Sequence, residues 1–171
     1  MIRPKQQAPA LNFNLIEGGT WNLVAQSPEK FTMLVFYRGL HCPVCKNYTE
    51  ELQKLKSKYL DLGVEIITVS MDSEARARTS KKEWDVADIP LGYGLIEAQA
   101  KTWGLYLSKG IKGKEPDLFS EPGLFLIRPN NEVYYVAINS EPFGRPHLRS
   151  FLKSVEFVIT EDYPSRGEVA Y

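Results

Sequence analysis

The sequence lacks an excess of either charge, because 21 Lys and Arg residues stand against 21 Asp and Glu residues in 171. Nucleic acids and anionic membrane surfaces are bound by surplus Lys and Arg, so we expect neither as a partner. The chain also has only two cysteines, too few for the disulfide framework of a small secreted scaffold. These observations indicate an ordinary globular protein whose two cysteines do not belong to a disulfide framework.

Long hydrophobic runs are missing as well. The longest, at residues 33–37 and 124–127, are far too short to span a bilayer. The first nine residues carry positive charge without an apolar stretch after it, so we expect no signal peptide. We therefore expect a cytoplasmic protein, in which cysteines stay reduced unless they perform redox or metal chemistry.

Apolar periodicity predicts an α/β protein. A hairpin at residues 11–24 precedes a continuous apolar run, which is typical of a strand buried on both faces. Residues 109–120 are rich in Gly and Lys and are predicted to form an exposed loop. The predicted order β-β-β-α-β-α-α-β-β-α gives a mixed central sheet with helices on both faces and an N-terminal hairpin. We expect residues 1–160 to form a single domain and residues 161–171 a polar tail. The predicted elements are strands at 11–15, 21–24, 32–37, 64–70, 123–128 and 132–138, and helices at 43–62, 74–86, 97–105 and 146–158.

The residues best suited to catalysis or metal binding lie between a buried strand and a helix, in Cys42-Pro43-Val44-Cys45. Pro43 suits the first helical position, since its φ is already helical and it has no N–H to leave unpaired. Cys42 then occupies the helix cap and Cys45 the first turn. Positions three apart on a helix are neighbours, close enough for a disulfide.

This location also favours a thiolate. Unpaired N–H groups and the helix dipole stabilise an anion by about 0.3–1 kcal/mol, and by up to ~2 kcal/mol when partly buried. Arg38 and a protonated His41 are expected to lower the thiol pKa further. Arg38 could equally do no more than solvate the end of the strand.

Three other interpretations of the cysteine pair remain open. The pair could be a structural disulfide, although a ring this short stabilises a fold by only ~2 kcal/mol. It could be half of a zinc site, for which His41 and His147 are the available histidines. Both cysteines could also be small buried hydrophobic residues, which suits Cys45, on the apolar face of the helix predicted at 43–62, better than Cys42 at the cap.

From about Ala8 to Val158 the chain resembles the thioredoxin-like superfamily, and within it the alkyl hydroperoxide reductase and thiol-specific antioxidant family, the peroxiredoxins. Pro43-Val44-Cys45 is similar to the Pro-Val-Cys that opens the family's catalytic helix. Ala100-Lys101-Thr102-Trp103-Gly104 resembles Ala-Lys-x-Tyr-Gly, and Gly123-Leu124-Phe125 resembles the family's next strand. The resemblance implies a thioredoxin-like fold.

The catalytic signature departs from this family. Cys45 matches the peroxidatic cysteine, but Arg38 replaces a Pro, Cys42 replaces a Thr, and Pro122 stands where an Arg polarises the peroxide. Cys42, Cys45 and Pro122 instead resemble the Cys-x-x-Cys and facing cis-proline of a thioredoxin, which implies a cis Glu121–Pro122 bond. Phe36 stands where a thioredoxin has a buried carboxylate.

These features predict a thiol-dependent antioxidant oxidoreductase that works by dithiol/disulfide exchange. In that cycle Cys42 attacks and Cys45 resolves, while Pro122, Arg38, His41 and Pro43 shape the site. The alternative is hydroperoxide reduction with Cys45 as the peroxidatic cysteine, and an alternative of another class is a redox-silent or zinc-binding interaction module. No bound cofactor or metal is expected. The expected partners are a small disulfide or hydroperoxide and a reducing thioredoxin or glutathione system, and the resemblance is compatible with a homodimer.

Overall fold

A computed structural model describes residues 2–170, which form a mixed sheet covered by helices. None of the helices in these residues combines the length and apolar character that crossing a bilayer requires. In chain order the strands and helices are β1 (Asn12–Leu15), β2 (Thr20–Asn22), β3 (Phe31–Phe36), α1 (Pro43–Asp61), β4 (Val64–Val69), α2 (Glu74–Glu83), β5 (Leu91–Tyr93), α3 (Glu97–Thr102), β6 (Leu107–Lys109), β7 (Leu118–Ser120), β8 (Gly123–Ile127), β9 (Val133–Ile138) and α4 (Leu148–Thr160), with a 3-10 turn at Leu23–Ala25.

The main sheet has the strand order β2-β1-β5-β4-β3-β8-β9. Strands β3, β4 and β5 run parallel, whereas β1, β8 and β9 pair antiparallel with their neighbours. The N-terminal hairpin β1–β2 extends one edge. This confirms the predicted mixed sheet with helices on both faces.

Strand β3 lies at the centre of the sheet and is buried on both faces, as its continuous apolar run predicts. Met33 and Val35 pack into one core cluster with α1 and α4. Leu34 and Phe36 pack into the other, which includes α3 and the N-terminal hairpin. The end of β3 is therefore fixed from two sides, and α1 starts from this fixed point.

Two predictions about the second half of the chain are wrong. Strand β5 was not expected, because three residues are too few to show a periodic pattern. Residues 109–120 do not form a simple exposed loop, since β6 and β7 pair antiparallel through Leu107 and Ser120 and bury Phe119. The Gly and Lys residues lie at the tip of this hairpin, apart from Lys109 at the end of β6, and this composition hid the short strands on either side.

The Glu121–Pro122 bond is trans, as are all peptide bonds in the described residues, so the expected cis-proline is absent from this part of the chain. The Glu121 N–H donates to the Tyr106 carbonyl, and the Pro122 carbonyl accepts from the Asn139 N–H. A trans bond continues this extended, hydrogen-bonded path into β8. Pro122 is buried at the start of that strand.

The residues after α4 are anchored to the sheet rather than loose. The Tyr134 hydroxyl donates to the Tyr163 carbonyl, and Ser165 is buried. Lys5 and Glu168 form an ion pair of 2.9 Å that joins the two ends of the chain.

Candidate active site at the start of helix α1

The two cysteines lie where the sequence places them, at the junction of β3 and α1. Cys42 is the N-cap of α1 and Pro43 occupies its first turn. The backbone N–H of Cys45 donates to Sγ of Cys42 over 3.2 Å, and this bond satisfies one of the helix's free N–H groups. Both cysteines are thiols here, with the Cys42 sulfur in the position where a serine or aspartate oxygen commonly caps a helix.

The loop that leads into Cys42 is held by Asp72, which follows β4. The Asp72 side chain is completely buried, accepts from the Leu40 N–H at 2.7 Å and pairs with Arg76 at 2.6 Å. Gly39 passes directly over it with a φ of 128°, and a Cβ there would lie 2.6 Å from the carboxylate. Only glycine fits this approach, so the path of the loop is determined by one buried carboxylate.

The two thiols differ in acidity and in their position relative to a surface cavity. Both are buried, but Cys42 lines the cavity and Cys45 is not among its lining residues. Hydrogen bonds from the Cys45 side chain and backbone, followed by the charges of Arg145 and Arg38, lower the pKa of Cys42 to about 6. Burial and the hydrogen bond with Cys42 raise the pKa of Cys45. Cys42 is therefore mostly thiolate at neutral pH, and Cys45 remains a thiol.

Arg145, at the approach to α4, supplies one of the two cations that act on the thiols. Its guanidinium stacks on the Tyr48 ring at 4.2 Å, and its Nε donates to the Pro142 carbonyl at 3.0 Å. Its two terminal nitrogens are buried and have no hydrogen-bond partner in residues 2–170. A buried guanidinium with unused donors is suited to an anion, and its charge lowers the pKa of both cysteines, after larger effects of hydrogen bonding and burial.

Arg38, the second cation, is fixed by its surroundings rather than left in solvent. Its guanidinium lies 3.4 Å from Glu121 and 3.8 Å from Glu115. It also stacks over the Phe119 ring at 4.7 Å. Of the two roles that the sequence left open for Arg38, these contacts favour tuning of the site over simple solvation of the strand end.

His41 lies near Arg38 and Arg76, and its part in the site stays a prediction. Burial, followed by the charge of Arg38, lowers the pKa of His41, which disfavours the protonated form that the sequence analysis invoked. Its Nδ1 lies 3.4 Å from Arg76, and the ring packs against Phe119 at 4.6 Å between centroids. His41 therefore packs the loop. Within residues 2–170, no three His, Cys, Asp or Glu side chains are placed to hold a metal ion.

A cavity of about 390 Å³ opens beside Cys42. Three connections meet there: the β3–α1 loop, the tip of the β6–β7 hairpin and the segment before α4. Its lining residues are Arg38, His41, Cys42, Pro43, Val44, Lys112, Gly113, Lys114, Glu115, Pro142 and Phe143. A small molecule in this cavity would reach Cys42 and not Cys45.

The structure brings together Cys42, Pro43, Cys45, Arg38 and His41. Pro122 adjoins them through Glu121, which pairs with Arg38. Sequence analysis missed Asp72, Glu115 and Phe119. A signal for Asp72 was available, because β3 and β4 are parallel neighbours and their carboxyl ends meet at one edge of the sheet. No local pattern indicates the other two, since their contacts depend on how the hairpin folds back.

Comparison with known proteins agrees with this fold. The sequence profile of the AhpC/TSA family matches residues 4–136. The chain is 28% identical to a thioredoxin peroxidase of Trypanosoma brucei rhodesiense over 167 residues, which cover 90% of this chain and 80% of that protein. The reduced 2-Cys peroxiredoxin of Plasmodium vivax superposes with a TM-score of 0.76 at 18% identity, over 93% of this chain and 98% of the other. AhpC of Mycobacterium tuberculosis gives 0.76 at 17% identity, over 95% and 96%. These similarities show a thioredoxin-like fold of the peroxiredoxin type.

Proposed function

The chain belongs to the AhpC/TSA family of thiol-dependent antioxidant enzymes, and on this basis we propose that it catalyses dithiol/disulfide exchange with Cys42 as the nucleophile and Cys45 as the resolving thiol. The observation that carries the proposal is the asymmetry of the pair. A nucleophile must be a thiolate and must be reached by its substrate. Cys42 meets both conditions, because its pKa is lowered to about 6 and it lines a cavity.

The reaction needs no group beyond the two thiols. The Cys42 thiolate attacks one sulfur of the substrate disulfide, forms a mixed disulfide and releases the other half as a thiolate. Cys45 then loses its proton and attacks Sγ of Cys42, which releases the second half of the substrate as a thiol. The enzyme dithiol is oxidised to a Cys42–Cys45 disulfide by two electrons, and the substrate disulfide is reduced to two thiols.

Hydroperoxide reduction is the second candidate, favoured by the family and by the alignment of Cys45 with its peroxidatic cysteine. In that reaction a cysteine thiolate attacks the peroxide, becomes a sulfenic acid and releases an alcohol or water. The second cysteine condenses with the sulfenic acid and expels water. The burial of Cys45 and its raised pKa are arguments against Cys45 in this role and support proposing Cys42 for it.

Both reactions end in the same disulfide, which an external reductant must reduce. We propose a thioredoxin or glutathione system in the cytoplasm for this step, and a small disulfide or hydroperoxide as substrate. A cytoplasmic location supports the cycle because the cytosol keeps such reductants in their thiol form.

The test is turnover of a small disulfide and of hydrogen peroxide, measured side by side on wild type, Cys42→Ser and Cys45→Ser. We expect Cys42→Ser to lose disulfide turnover by at least about a thousandfold, because no thiolate remains in the cavity wall. Cys45→Ser should form one mixed disulfide at Cys42, visible by intact mass, and then stop.

Circular dichroism of the three proteins serves as the control for folding. Disulfide turnover retained by Cys42→Ser would defeat the exchange mechanism. Rapid peroxide consumption by Cys42→Ser with an added thiol would identify Cys45 as the peroxidatic residue and move the assignment to the second candidate.

A further inference from the structure

The cavity beside Cys42 carries a local positive charge in a protein whose formal net charge is zero. Lys112 and Lys114 lie on its rim, at the tip of the β6–β7 hairpin. The lysine ion pairs of residues 2–170 involve Lys5, Lys46, Lys81 and Lys101, so neither rim lysine is neutralised by a carboxylate there.

The single carboxylate in the cavity wall does not cancel this charge. One oxygen of Glu115 accepts from the backbone N–H groups of Ile111 and Lys112, at 2.8 and 3.1 Å, and the other lies 3.8 Å from Arg38. The negative charge of Glu115 is therefore directed into its own loop and toward the Arg38 guanidinium. Lys112 and Lys114 are exposed lining residues, and no carboxylate within residues 2–170 forms an ion pair with either.

Part of the cavity lining is apolar. Phe143, in the segment before α4, lines the cavity and is 75% exposed. Its ring offers a bound molecule a hydrophobic contact. The cavity therefore combines cationic residues, an apolar ring and the Cys42 sulfur in one lining.

We propose that Lys112 and Lys114 select carboxylate-bearing low-molecular-weight disulfides and thiols as the substrate of Cys42. A volume of about 390 Å³ suits a small molecule, since such sites hold roughly 300–1,000 Å³. An uncharged peroxide would gain nothing from two ammonium groups, whereas a carboxylate two or three bonds from sulfur can pair with one while the sulfur meets Cys42. This inference rests on the proposed function, because it names the substrate class of the same thiol.

The first experiment measures the charge of the cavity without requiring turnover. Reduced protein is alkylated with iodoacetate, which is anionic, and with iodoacetamide, which is neutral, and the rates at Cys42 are read by mass spectrometry. The ratio of the iodoacetate rate to the iodoacetamide rate does not depend on the thiol pKa, because both reagents react with the same thiolate. We expect this ratio to fall about five- to tenfold in Lys112→Gln/Lys114→Gln and to lose its dependence on ionic strength.

The matched control is Lys54→Gln/Lys58→Gln. Both residues are exposed on α1, and the variant changes the net charge by the same two units. At 1.5 Å per residue they lie roughly 18 and 24 Å along the helix from Cys42, beyond the reach of screened charges. An unchanged ratio in the rim variant, or an equal fall in the control variant, would overturn the proposal.

The second experiment compares kcat/KM for three small disulfides of similar size: dithiodipropionate, which is a dianion, bis(2-hydroxyethyl) disulfide, which is neutral, and cystamine, which is a dication. Wild type should prefer the dianion, and the rim variant should lose that preference without losing turnover of the neutral compound. A wild-type preference for the neutral or cationic disulfide contradicts the inference. If no disulfide is turned over while the alkylation ratio behaves as expected, the exchange function fails and the anion selectivity stands.

Discussion

At the scale of single residues, the chemistry of the site depends on which groups touch a sulfur atom. Cys42 receives hydrogen bonds from Cys45 and is influenced by the charges of two arginines. Arg38 divides its charge between two carboxylates, whereas Arg145 keeps its terminal donors unused in a partly buried position. Arg145 is therefore the cation whose removal should affect the thiolate most.

We expect Arg145→Met to raise the pKa of Cys42, because an uncompensated positive charge near the thiolate is lost. Thiolate absorbance at 240 nm, followed against pH in reduced protein, measures this directly. A shift of about one pKa unit is expected. Arg145→Lys is the matched control, since it keeps the charge but loses the stacking on Tyr48. An equal shift in both variants would show that packing rather than charge controls the thiol.

At the scale of elements, the start of α1 is positioned by the connection that follows the neighbouring strand. Asp72, between β4 and α2, bonds to the loop after β3 and to Arg76 in the first turns of α2. One carboxylate therefore joins two parallel strand–helix units at the sheet edge where the cysteines lie.

Replacing Asp72 with Asn should destabilise the protein by about 1–3 kcal/mol. The amide nitrogen would face the Arg76 guanidinium or the Leu40 N–H, and one buried donor would lose its acceptor. The free energy of unfolding in urea measures the effect. Glu74→Gln is the control, because it removes an exposed i,i+4 partner of Arg78 that solvent screens, so it should cost much less than the Asp72 change. Equal losses in the two variants would refute a special role for Asp72.

The features that could be predicted from sequence are those set by residues close together in the chain. Pro43 and Ser73 mark helix starts through rules that act within four residues, and the structure places both as expected. The β6–β7 pairing and the stacking of Phe119 on Arg38 depend on segments far apart in the chain, so no local pattern reveals them. The trans Glu121–Pro122 bond shows that a residue type borrowed from a related site need not bring its conformation with it.

At the scale of the whole molecule, the two thiols link stability to pH in opposite directions. Because the pKa of Cys42 is lowered in the folded protein, the unfolded chain binds more protons at this site. The stabilisation from this shift is complete above the pKa of the unfolded thiol, about 8.5, and is lost as the pH falls toward 6. The raised pKa of Cys45 gives a contribution that is lost above about pH 8.5. The lowered pKa of His41 adds to the loss of stability on the acid side.

Between pH 6 and 8.5, we expect the free energy of unfolding of reduced wild type to rise with pH, by at most about 1.4 kcal/mol per pH unit from Cys42. Cys42→Ser should lack this component, while the titration of His41 remains in the two proteins and cancels in their difference. Urea unfolding under reducing conditions at three pH values provides the measurement. Parallel pH profiles for the two proteins would contradict a lowered Cys42 pKa.

The depth of Cys45 also affects how long the proposed cycle spends in each state. Burial is the largest cause of the raised pKa of Cys45, and it does not depend on a free Cys42 sulfur, so we expect Cys45 to attack the neighbouring sulfur slowly. In the proposed cycle the covalent adduct on Cys42 would therefore persist longer than it takes to form. During that interval a second thiol from solution can intercept the adduct and return the enzyme to its reduced state without an internal disulfide. The local concentration of competing thiols, rather than the enzyme alone, would then decide which of the two routes each catalytic cycle follows.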